Sequence, residues 1–129
     1  MQITTLQHAD AAVARPKGRI DHASTVAFEA ALTPLIAEAV DRHGAVVLDF
    51  SDIDYISSVG LRVLMIAAKQ MREHQAQLLV AELQDVVAEI FAISRFDRVL
   101  TLVPTLDDAM ARCSPAAQAS YRESAGGAR

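Results

Sequence analysis

The sequence is poor in the residues on which disulfide-rich, metal-binding and aromatic-rich domains depend. Its 129 residues include one cysteine, Cys113, and no tryptophan, and aromatic residues make up only 5% of the chain. One cysteine excludes an internal disulfide and is typical of a reducing compartment. His8, His22, His43 and His74 lack the spacing of metal ligands. The core must therefore be built from aliphatic side chains, and we expect neither a metal nor a cofactor.

Basic charge and long apolar runs are also missing. The formal net charge of −4 argues against a direct nucleic-acid or anionic-membrane partner, because both favour a basic surface. No run approaches the ~18 apolar residues needed to cross a bilayer, and the longest candidate, around 59–68, is interrupted by Arg62. The first residues, MQITTLQHADAA, do not resemble a signal peptide. We therefore expect a cytoplasmic protein that does not insert into membranes.

Aliphatic residues are what the sequence has in abundance, since hydrophobic residues make up 52% of it. A chain of this length and composition predicts one domain with a sizeable core. Residues 2–6 and 11–15 are short mixed stretches that predict edge strands. Apolar runs bounded by turn residues predict buried strands at 45–50, 78–81 and 100–103.

Four predicted helices alternate with these strands. The first runs over about 25–41 and contains Pro34, which predicts a kink or a second helical segment there. The next two are predicted at 59–73 and 84–94 from their apolar periodicity, and the last spans 105–115.

This alternation predicts an α/β fold, with a mixed sheet of four to five strands and about four helices packed mainly on one side. Residues 1–113 are expected to form this single domain. Residues 114–129 are rich in alanine, serine and glycine, and we expect them to form a flexible C-terminal tail.

The most informative segment is a polar loop predicted at 51–58, between a buried strand and a helix. Loops that follow the carboxyl ends of parallel strands are where α/β domains usually carry function. The letters VVLDF at 46–50, followed by IDYISSVGLRVL at 53–64, resemble the STAS family of anti-sigma factor antagonists and their relatives. GRID at 18–21 is similar to the family's Gly-x-Leu/Ile-Asp element. The resemblance covers about 17–112 and implies the STAS fold and a protein-binding function.

The family's loop pattern is Asp-Ser-Ser/Thr-Gly-Leu-Gly, and a partner anti-sigma kinase phosphorylates its first serine. Carried over by position, the resemblance implies that Ser58 is the phosphate acceptor and that Gly60 is the first glycine. The chain departs from the pattern at three positions, where Ser57 replaces Asp, Val59 replaces the second hydroxyl residue and Arg62 replaces the second Gly. Ser57 is therefore an alternative acceptor.

The position of Ser58 gives a physical reason to consider it as well. It stands where a helix is predicted to begin, close to backbone N–H groups that have no partner within the helix. A phosphate there would add a charge of about −2 beside the positive end of the helix dipole, so the fold should tolerate it. A docked partner presenting acidic or apolar surface would not. Ser58 is also predicted to be the helix N-cap, and this role is compatible with its being a phosphate acceptor.

The helix predicted at 59–73 has two distinct faces at ~100° per residue. One face is apolar and should pack on the sheet: Leu61, Leu64, Ala68 and Met71. The opposite face mixes charged and β-branched residues: Arg62, Ile66, Lys69 and Glu73, with Val59 and Val63 beside it. Two interpretations remain open, namely a partner-binding surface, or a boundary at which a neighbouring helix half-buries the valines.

Catalytic and metal-dependent functions have weaker support. Asp49, Asp52 and Asp54 could suggest a magnesium or phospho-acceptor site, but a receiver domain would need a second early acid beside Asp21 and a lysine after the last strand. Turn and capping roles suit these residues better. A hydrolase centred on Ser58 lacks the Gly-x-Ser-x-Gly elbow. We therefore expect no enzymatic activity.

The resemblance implies an anti-sigma factor antagonist, a partner-switching regulator that binds an anti-sigma factor or serine-kinase-like protein. Binding would occur when Ser58 is unphosphorylated and end on its phosphorylation, with a phosphatase as a further partner. Asp21 would line the same surface, where it would suit an arginine of the partner. The residues expected to contact the partner are Asp21, Ser57, Ser58, Val59, Arg62, Val63, Ile66 and Lys69. The alternative is a constitutive STAS subunit of an ABC-type lipid transport complex.

Overall fold

The computed structural model describes residues 1–128, and the side chains of 1–124. This part of the chain contains six strands and five α-helices. The strands are β1 (Gln2–His8), β2 (Ala11–Ile20), β3 (Ala45–Asp49), β4 (Ile53–Ile56), β5 (Gln77–Ala81) and β6 (Thr101–Val103). The α-helices are α1 (Thr25–Arg42), α2 (Ser58–Glu73), α3 (Asp85–Ile93), α4 (Leu106–Met110) and α5 (Pro115–Ala128).

The sheet is mixed, as predicted, and its main path has the strand order β1-β2-β3-β5-β6. Strand β1 pairs antiparallel with β2, and the other neighbours on this path are parallel. Strand β4 lies off the path and pairs in parallel with the end of β2, at Gly18–Ile20. The prediction of a continuous loop at 51–58 is therefore wrong. Within that segment Ile53–Ile56 form β4. They can do so because β2 is long enough to pair with β3 at its beginning and with β4 at its end.

The larger core lies on the sheet face covered by α1, α2 and α3. Strand β3 is buried along its whole length, as its continuous apolar run predicts. The bulkiest fully buried side chains on this face come mostly from the helices and strands: Ile20, Phe28, Leu32, Leu48, Phe50, Ile53, Ile56, Leu61, Leu64, Met71 and Phe91. This core fixes α2, and with it Ser58, against the sheet.

Helix α1 continues through Pro34 as a single element. The predicted second segment is therefore absent from the structure. Pro34 is exposed, as is Ala30, whose carbonyl would otherwise accept the missing N–H bond. Solvent can satisfy that carbonyl, so the helix survives.

A second, smaller core lies on the opposite sheet face, beneath α4 and α5. It consists of small and aliphatic residues: Ala11, Ala45, Val47, Leu79, Ala81, Val103, Ala109, Met110, Cys113 and Ala117. Burial raises the pKa of the Cys113 thiol to about 11, and nearby Asp10 adds to the shift. The thiol is therefore protonated at neutral pH and has no thiolate reactivity.

The C-terminal segment differs from the flexible tail that was predicted, because Pro115–Ala128 forms α5. Ala117 is completely buried in the second core. The Ser120 hydroxyl lies 2.9 Å from Nδ1 of His8, a residue only 3% exposed. The Tyr121 hydroxyl donates to Asp107 Oδ1 at 2.6 Å. The buried face of α5 is difficult to recognise in the sequence because it is formed by alanine rather than by large apolar residues, so no clear helical periodicity of large apolar residues marks it.

Candidate partner-binding site

The candidate site lies at the end of the molecule where β2 and β4 finish and α1 and α2 begin. The Ser57 N–H donates to the Ile20 carbonyl at 2.8 Å, which ties the start of α2 to the end of β2. Asp21 follows Ile20 directly. The fold therefore brings Asp21, Ser57 and Ser58 to one pole, although Ser57 lies 36 positions after Asp21 along the sequence.

Ser57 is the N-cap of α2, which corrects the prediction that Ser58 has this role. Its backbone is extended, and its hydroxyl oxygen accepts from the Gly60 N–H at 3.2 Å. Its carbonyl accepts the Leu61 N–H at 2.9 Å as the first helical bond. Ser57 is only 8% exposed. Both its burial and its capping bond make its hydroxyl a poor modification target.

Ser58 is the first residue of α2, and its side chain is exposed. Within the part of the chain that the structure describes, its hydroxyl has no hydrogen-bond partner. The N–H groups of the first helical turn lie nearby, and the dipole of α2 makes this end positive. No acidic residue occupies the first turn of α2. A negative group on Ser58 would therefore be stabilised by the helix that carries it.

Gly60 explains why the motif needs a glycine two residues after Ser58. A Cβ atom built on Gly60 would lie 2.7 Å from Ile20 Cγ2 and 2.9 Å from Ile56 Cγ1. These contacts are closer than carbon atoms tolerate, so the first turn of α2 can rest on β2 and β4 only without a side chain here. Gly60 thus holds Ser58 close to the ends of both strands.

The two predicted faces of α2 are present in the structure. The four residues predicted to face the sheet, Leu61, Leu64, Ala68 and Met71, are all buried. On the opposite face Arg62 and Lys69 are exposed, and Ile66 is 53% exposed.

The two valines beside the exposed face of α2 differ in their burial. Val59 is 39% exposed, so a neighbouring helix does not cover it. Val63 is half-buried and packs against the main core, where it lines a groove with Thr33 of α1. Sequence reasoning missed Met65, which is 37% exposed at the margin of the same surface. Its position on the helical wheel, close to the buried face, concealed it.

Asp21 has a local structural role at this pole. Its Oδ1 accepts from the N–H groups of Ala23 and Ser24 at 3.0 and 3.2 Å, closing the turn that enters α1. Its Oδ2 lies 3.8 Å from Arg19 Nε. Desolvation raises the pKa of Asp21, but the hydrogen bonds from Ser24 and Ala23, with the charge of Arg19, outweigh it and leave the pKa lowered. Asp21 is therefore ionised at neutral pH.

The three aspartates considered as a magnesium or phospho-acceptor site serve separate local roles. Asp49 Oδ1 accepts the Ser51 N–H at 3.0 Å, and Asp52 pairs with Arg15 at 3.0 Å. Asp54 is exposed. Among residues 1–124, no group of three or more histidine, cysteine or acidic side chains is arranged to hold a metal ion.

Comparison with known proteins identifies the family. The family model for the STAS domain, which describes the sequences of the family, matches residues 2–109 and thus most of the chain. The chain belongs to the STAS domain family. This confirms the resemblance seen in the sequence, and the structure of this STAS protein confirms the α/β fold that it implied. Helix α5 lies beyond the matched residues.

The relatives of this STAS protein include proteins named as anti-sigma factor antagonists. A Bordetella bronchiseptica protein assigned as the anti-sigma factor antagonist BtrV is 41% identical over 80 residues, which are 62% of this chain and 66% of that protein. The chain thus spans just under two thirds of that relative. An anti-sigma factor antagonist from Mycobacterium paratuberculosis has a similar structure, with a TM-score of 0.72 and 27% identity over 85% of this chain and 92% of the other.

The fold is also that of SpoIIAA, an anti-sigma factor antagonist. Its unphosphorylated form matches with a TM-score of 0.69 at 16% identity, covering 86% of this chain and 95% of the other. Its phosphorylated form, from Bacillus, matches with a TM-score of 0.58 at 15% identity, covering 86% and 96%. At this identity the likeness concerns the fold alone. Within residues 1–128 of this STAS protein, no helix is both long and apolar enough to cross a membrane.

Proposed function

We propose that this STAS protein is an anti-sigma factor antagonist that exchanges partners according to the phosphorylation state of Ser58. It would bind an anti-sigma factor or serine-kinase-like protein when Ser58 carries a free hydroxyl, and release it when Ser58 is phosphorylated. One observation carries the assignment of the acceptor: Ser58 is exposed and unpartnered at the start of α2, whereas Ser57 is buried and caps the helix.

The charge at this pole explains how phosphorylation would act on binding rather than on folding. A phosphate on Ser58 would lie beside the positive end of α2 and would add no repulsion from an acid in its first turn. An acidic or apolar partner surface docked over Ser58 would remove water from the phosphate and would offer it no cation, leaving Arg62, one helical turn along α2, to offset its charge. Desolvating a doubly charged group that is only partly paired opposes association.

The proposed contact surface continues from Ser58 along α2. Val59, Met65 and Ile66 supply exposed apolar area, and Arg62 and Lys69 lie among them. Apolar anchors surrounded by charged groups are characteristic of protein-binding surfaces. Val63 is half-buried and would contribute through the groove it shares with α1.

Asp21 and Ser57 would contribute differently from the exposed residues of α2. Asp21 keeps part of its carboxylate accessible, since its side chain is 38% exposed, and can accept a hydrogen bond from a partner arginine. Ser57 would act mainly by holding the first turn of α2 in place.

The relatives support this proposal because they include anti-sigma factor antagonists and because SpoIIAA is known in both phosphorylated and unphosphorylated forms. The role is regulatory and needs no chemistry from the chain itself. A cytoplasmic location, together with the partner kinase and a phosphatase that resets the switch, completes the proposal.

A second candidate function is a constitutive STAS subunit of an ABC-type lipid transport complex. The observation that favours it is Ser57 in the position of the family's aspartate, a change that alters what a kinase would recognise. The exposed apolar residues of α2 would then contact an ATPase permanently.

The experiment that tests the proposal is recovery of the native protein from its cells with its partners, followed by mass spectrometry of both. The proposed switch is supported if the protein bound to a kinase-like partner is unphosphorylated and the unbound protein carries phosphate on Ser58. Phosphate on Ser57 would contradict the assignment of the acceptor. Recovery of a permease and an ATPase with unmodified protein would favour the transport function instead.

A further inference from the structure

The second half of β2 presents a row of cations on a sheet face that the helices leave open. Arg15, Lys17 and Arg19 are exposed, and they alternate with Pro16, which is buried, Gly18, which is half-buried, and Ile20, which is buried in the main core. Val13, two residues earlier, packs on the second core beneath α4 and α5. The row therefore continues the face that these two helices cover, beyond the point where their cover ends.

Strand β1 adds neutral polar residues to this face. In the antiparallel register Thr4 lies opposite Arg15, and Gln2 lies opposite Lys17. Together with Asp52, these four side chains line a shallow depression. We name this surface, consisting of Gln2, Thr4, Arg15, Lys17 and Arg19, the basic sheet face. It contains hydrogen-bonding groups as well as charge.

The acids nearby do not neutralise the basic sheet face completely. Arg15 pairs with Asp52 at 3.0 Å, and Arg19 lies 3.8 Å from Asp21 with its guanidinium 4.4 Å from the centre of the Tyr55 ring. Lys17 forms no ion pair within the described residues. The basic sheet face therefore remains cationic, although the chain as a whole has a net charge of −4. An acidic ligand would be attracted to this face and repelled by much of the remaining surface.

The spacing of the cations indicates what would fit. Arg15 and Lys17 lie in the regular part of β2, where alternate residues are about 6.6 Å apart along the axis, and an extended peptide repeats its side chains at the same interval. The strand becomes irregular at Gly18 and Arg19. Carboxylates at alternate positions of such a peptide could meet Arg15 and Lys17, and arginine can bind a carboxylate through two parallel hydrogen bonds. The Thr4 hydroxyl and the Gln2 amide could bond the peptide's backbone.

We propose that the basic sheet face binds an extended acidic segment of a partner protein, with carboxylates at alternate positions. Arg15 and Lys17 lie on the opposite side of the sheet from α2, whereas Arg19 lies beside Asp21 at the edge of the proposed partner site. A protein docked over Ser58 and α2 therefore leaves Arg15 and Lys17 accessible, and their occupancy does not depend on the state of Ser58. The protein can thus hold two partners at once. The net charge of −4 favours a protein segment over nucleic acid, whose continuous phosphates would also meet the acidic remainder of the surface.

The test uses a fluorescently labelled peptide in which glutamate and threonine alternate. Its anisotropy is measured with the full-length protein at low and moderate salt. Lys17→Glu should weaken binding by at least about tenfold. Arg98→Glu, the same change of charge at an exposed position in the turn Phe96–Arg98, should stay within about twofold of wild type. Ser58→Asp should bind the peptide as wild type does, which separates this result from the proposed switch.

Two further probes examine the chemistry of the occupant. A peptide with glutamine in place of glutamate should not bind, and an isomer with all its glutamates in one block should bind more weakly than the alternating peptide. Lys17→Gln serves as a milder variant if Lys17→Glu loses its native circular dichroism. Equal binding by wild type and the Lys17 variants would overturn the proposal, as would absence of peptide binding to wild type. Tighter binding of single-stranded oligothymidylate than of the peptide would overturn it in favour of nucleic acid.

Discussion

At the scale of single residues, the two adjacent serines have different environments. Ser57 turns inward and its hydroxyl accepts the Gly60 N–H, whereas Ser58 is exposed. Alignment with the family's loop pattern assigns the acceptor to Ser58, but the sequence does not reveal which of the two serines caps the helix. That distinction depends on backbone angles: Ser57 is extended at φ −81° and ψ 167°, as an N-cap requires, and α2 begins one residue earlier than its apolar periodicity suggested.

Gly60 gives a prediction about stability. Alanine is normally preferred to glycine inside a helix by up to about 1 kcal/mol. Here the added methyl group would overlap Ile20 and Ile56, so Gly60→Ala should lower the free energy of unfolding by about 1–3 kcal/mol. Urea denaturation provides the measurement. In an Ile20→Ala background the cost of Gly60→Ala should shrink, because the closest contact is gone. An increase in stability from Gly60→Ala alone would refute the packing argument.

Asp21 gives a prediction about pH. Its pKa is lower in the folded protein than in the unfolded chain, so its stabilising contribution is complete above the ordinary pKa of aspartate and is lost as pH falls through the lowered value. Asp21→Asn cannot ionise and lacks this contribution. The urea midpoints of wild type and Asp21→Asn should therefore differ at neutral pH and converge in acid. A difference that stays constant down to the lowest pH would show that the carboxylate charge is not responsible.

At the scale of elements, helix α2 was predicted well and β4 was not. The period of α2 reveals both faces, because its core side is apolar and continuous. Strand β4 has four residues, of which Ile53 and Ile56 are buried, Asp54 is exposed and Tyr55 is half-buried, so it lacks a regular alternation. Its register with β2 is also irregular at Gly18 and Arg19. Such a strand is defined by its distant partner rather than by its own sequence.

The exposed side of α2 gives a prediction that separates binding from folding. Ile66→Glu should change the free energy of unfolding by no more than about 0.5 kcal/mol, because Ile66 is 53% exposed. It should weaken binding to the kinase-like partner by at least about tenfold, or 1.4 kcal/mol. Calorimetric titration measures the affinity. Ile93→Glu on α3 is the matched control, since Ile93 is 76% exposed and lies outside the proposed surface. An unchanged affinity for Ile66→Glu would remove α2 from the interface.

At the scale of the whole molecule, the sheet separates two cores and two surfaces. The family match ends at residue 109, yet α5 extends the smaller core on the sheet face opposite α2. The α/β architecture was predictable from the alternation of apolar runs. The covering role of α5 was not, because it rests on a buried alanine and on side-chain bonds to His8 and Asp107.

Removing α5 should therefore destabilise the domain. Truncation after Ser114 removes Ala117 from the smaller core and removes the Ser120 partner of buried His8, and it should lower the free energy of unfolding by about 1–3 kcal/mol. Truncation after Ser124 retains Ala117, Ser120 and Tyr121, and should change it by less than about 0.5 kcal/mol. Thermal and urea unfolding measure both. If the two truncated proteins were equally stable, α5 would be dispensable for the fold, as a flexible tail would be.

We predict that phosphorylation of Ser58 changes partner binding without changing the fold. Ser58 is not the N-cap, so Ser58→Ala should leave stability within about 0.5 kcal/mol of wild type and preserve binding. Ser58→Asp should keep the fold, or stabilise it by about 0.3–1 kcal/mol through the helix dipole.

The most direct test is the affinity of these two variants for the kinase-like partner, measured beside their free energies of unfolding. We expect Ser58→Ala to bind as wild type does and Ser58→Asp to bind at least about tenfold more weakly, with both proteins fully folded. Binding of Ser58→Asp equal to that of wild type would contradict the switch and favour a constitutive STAS subunit.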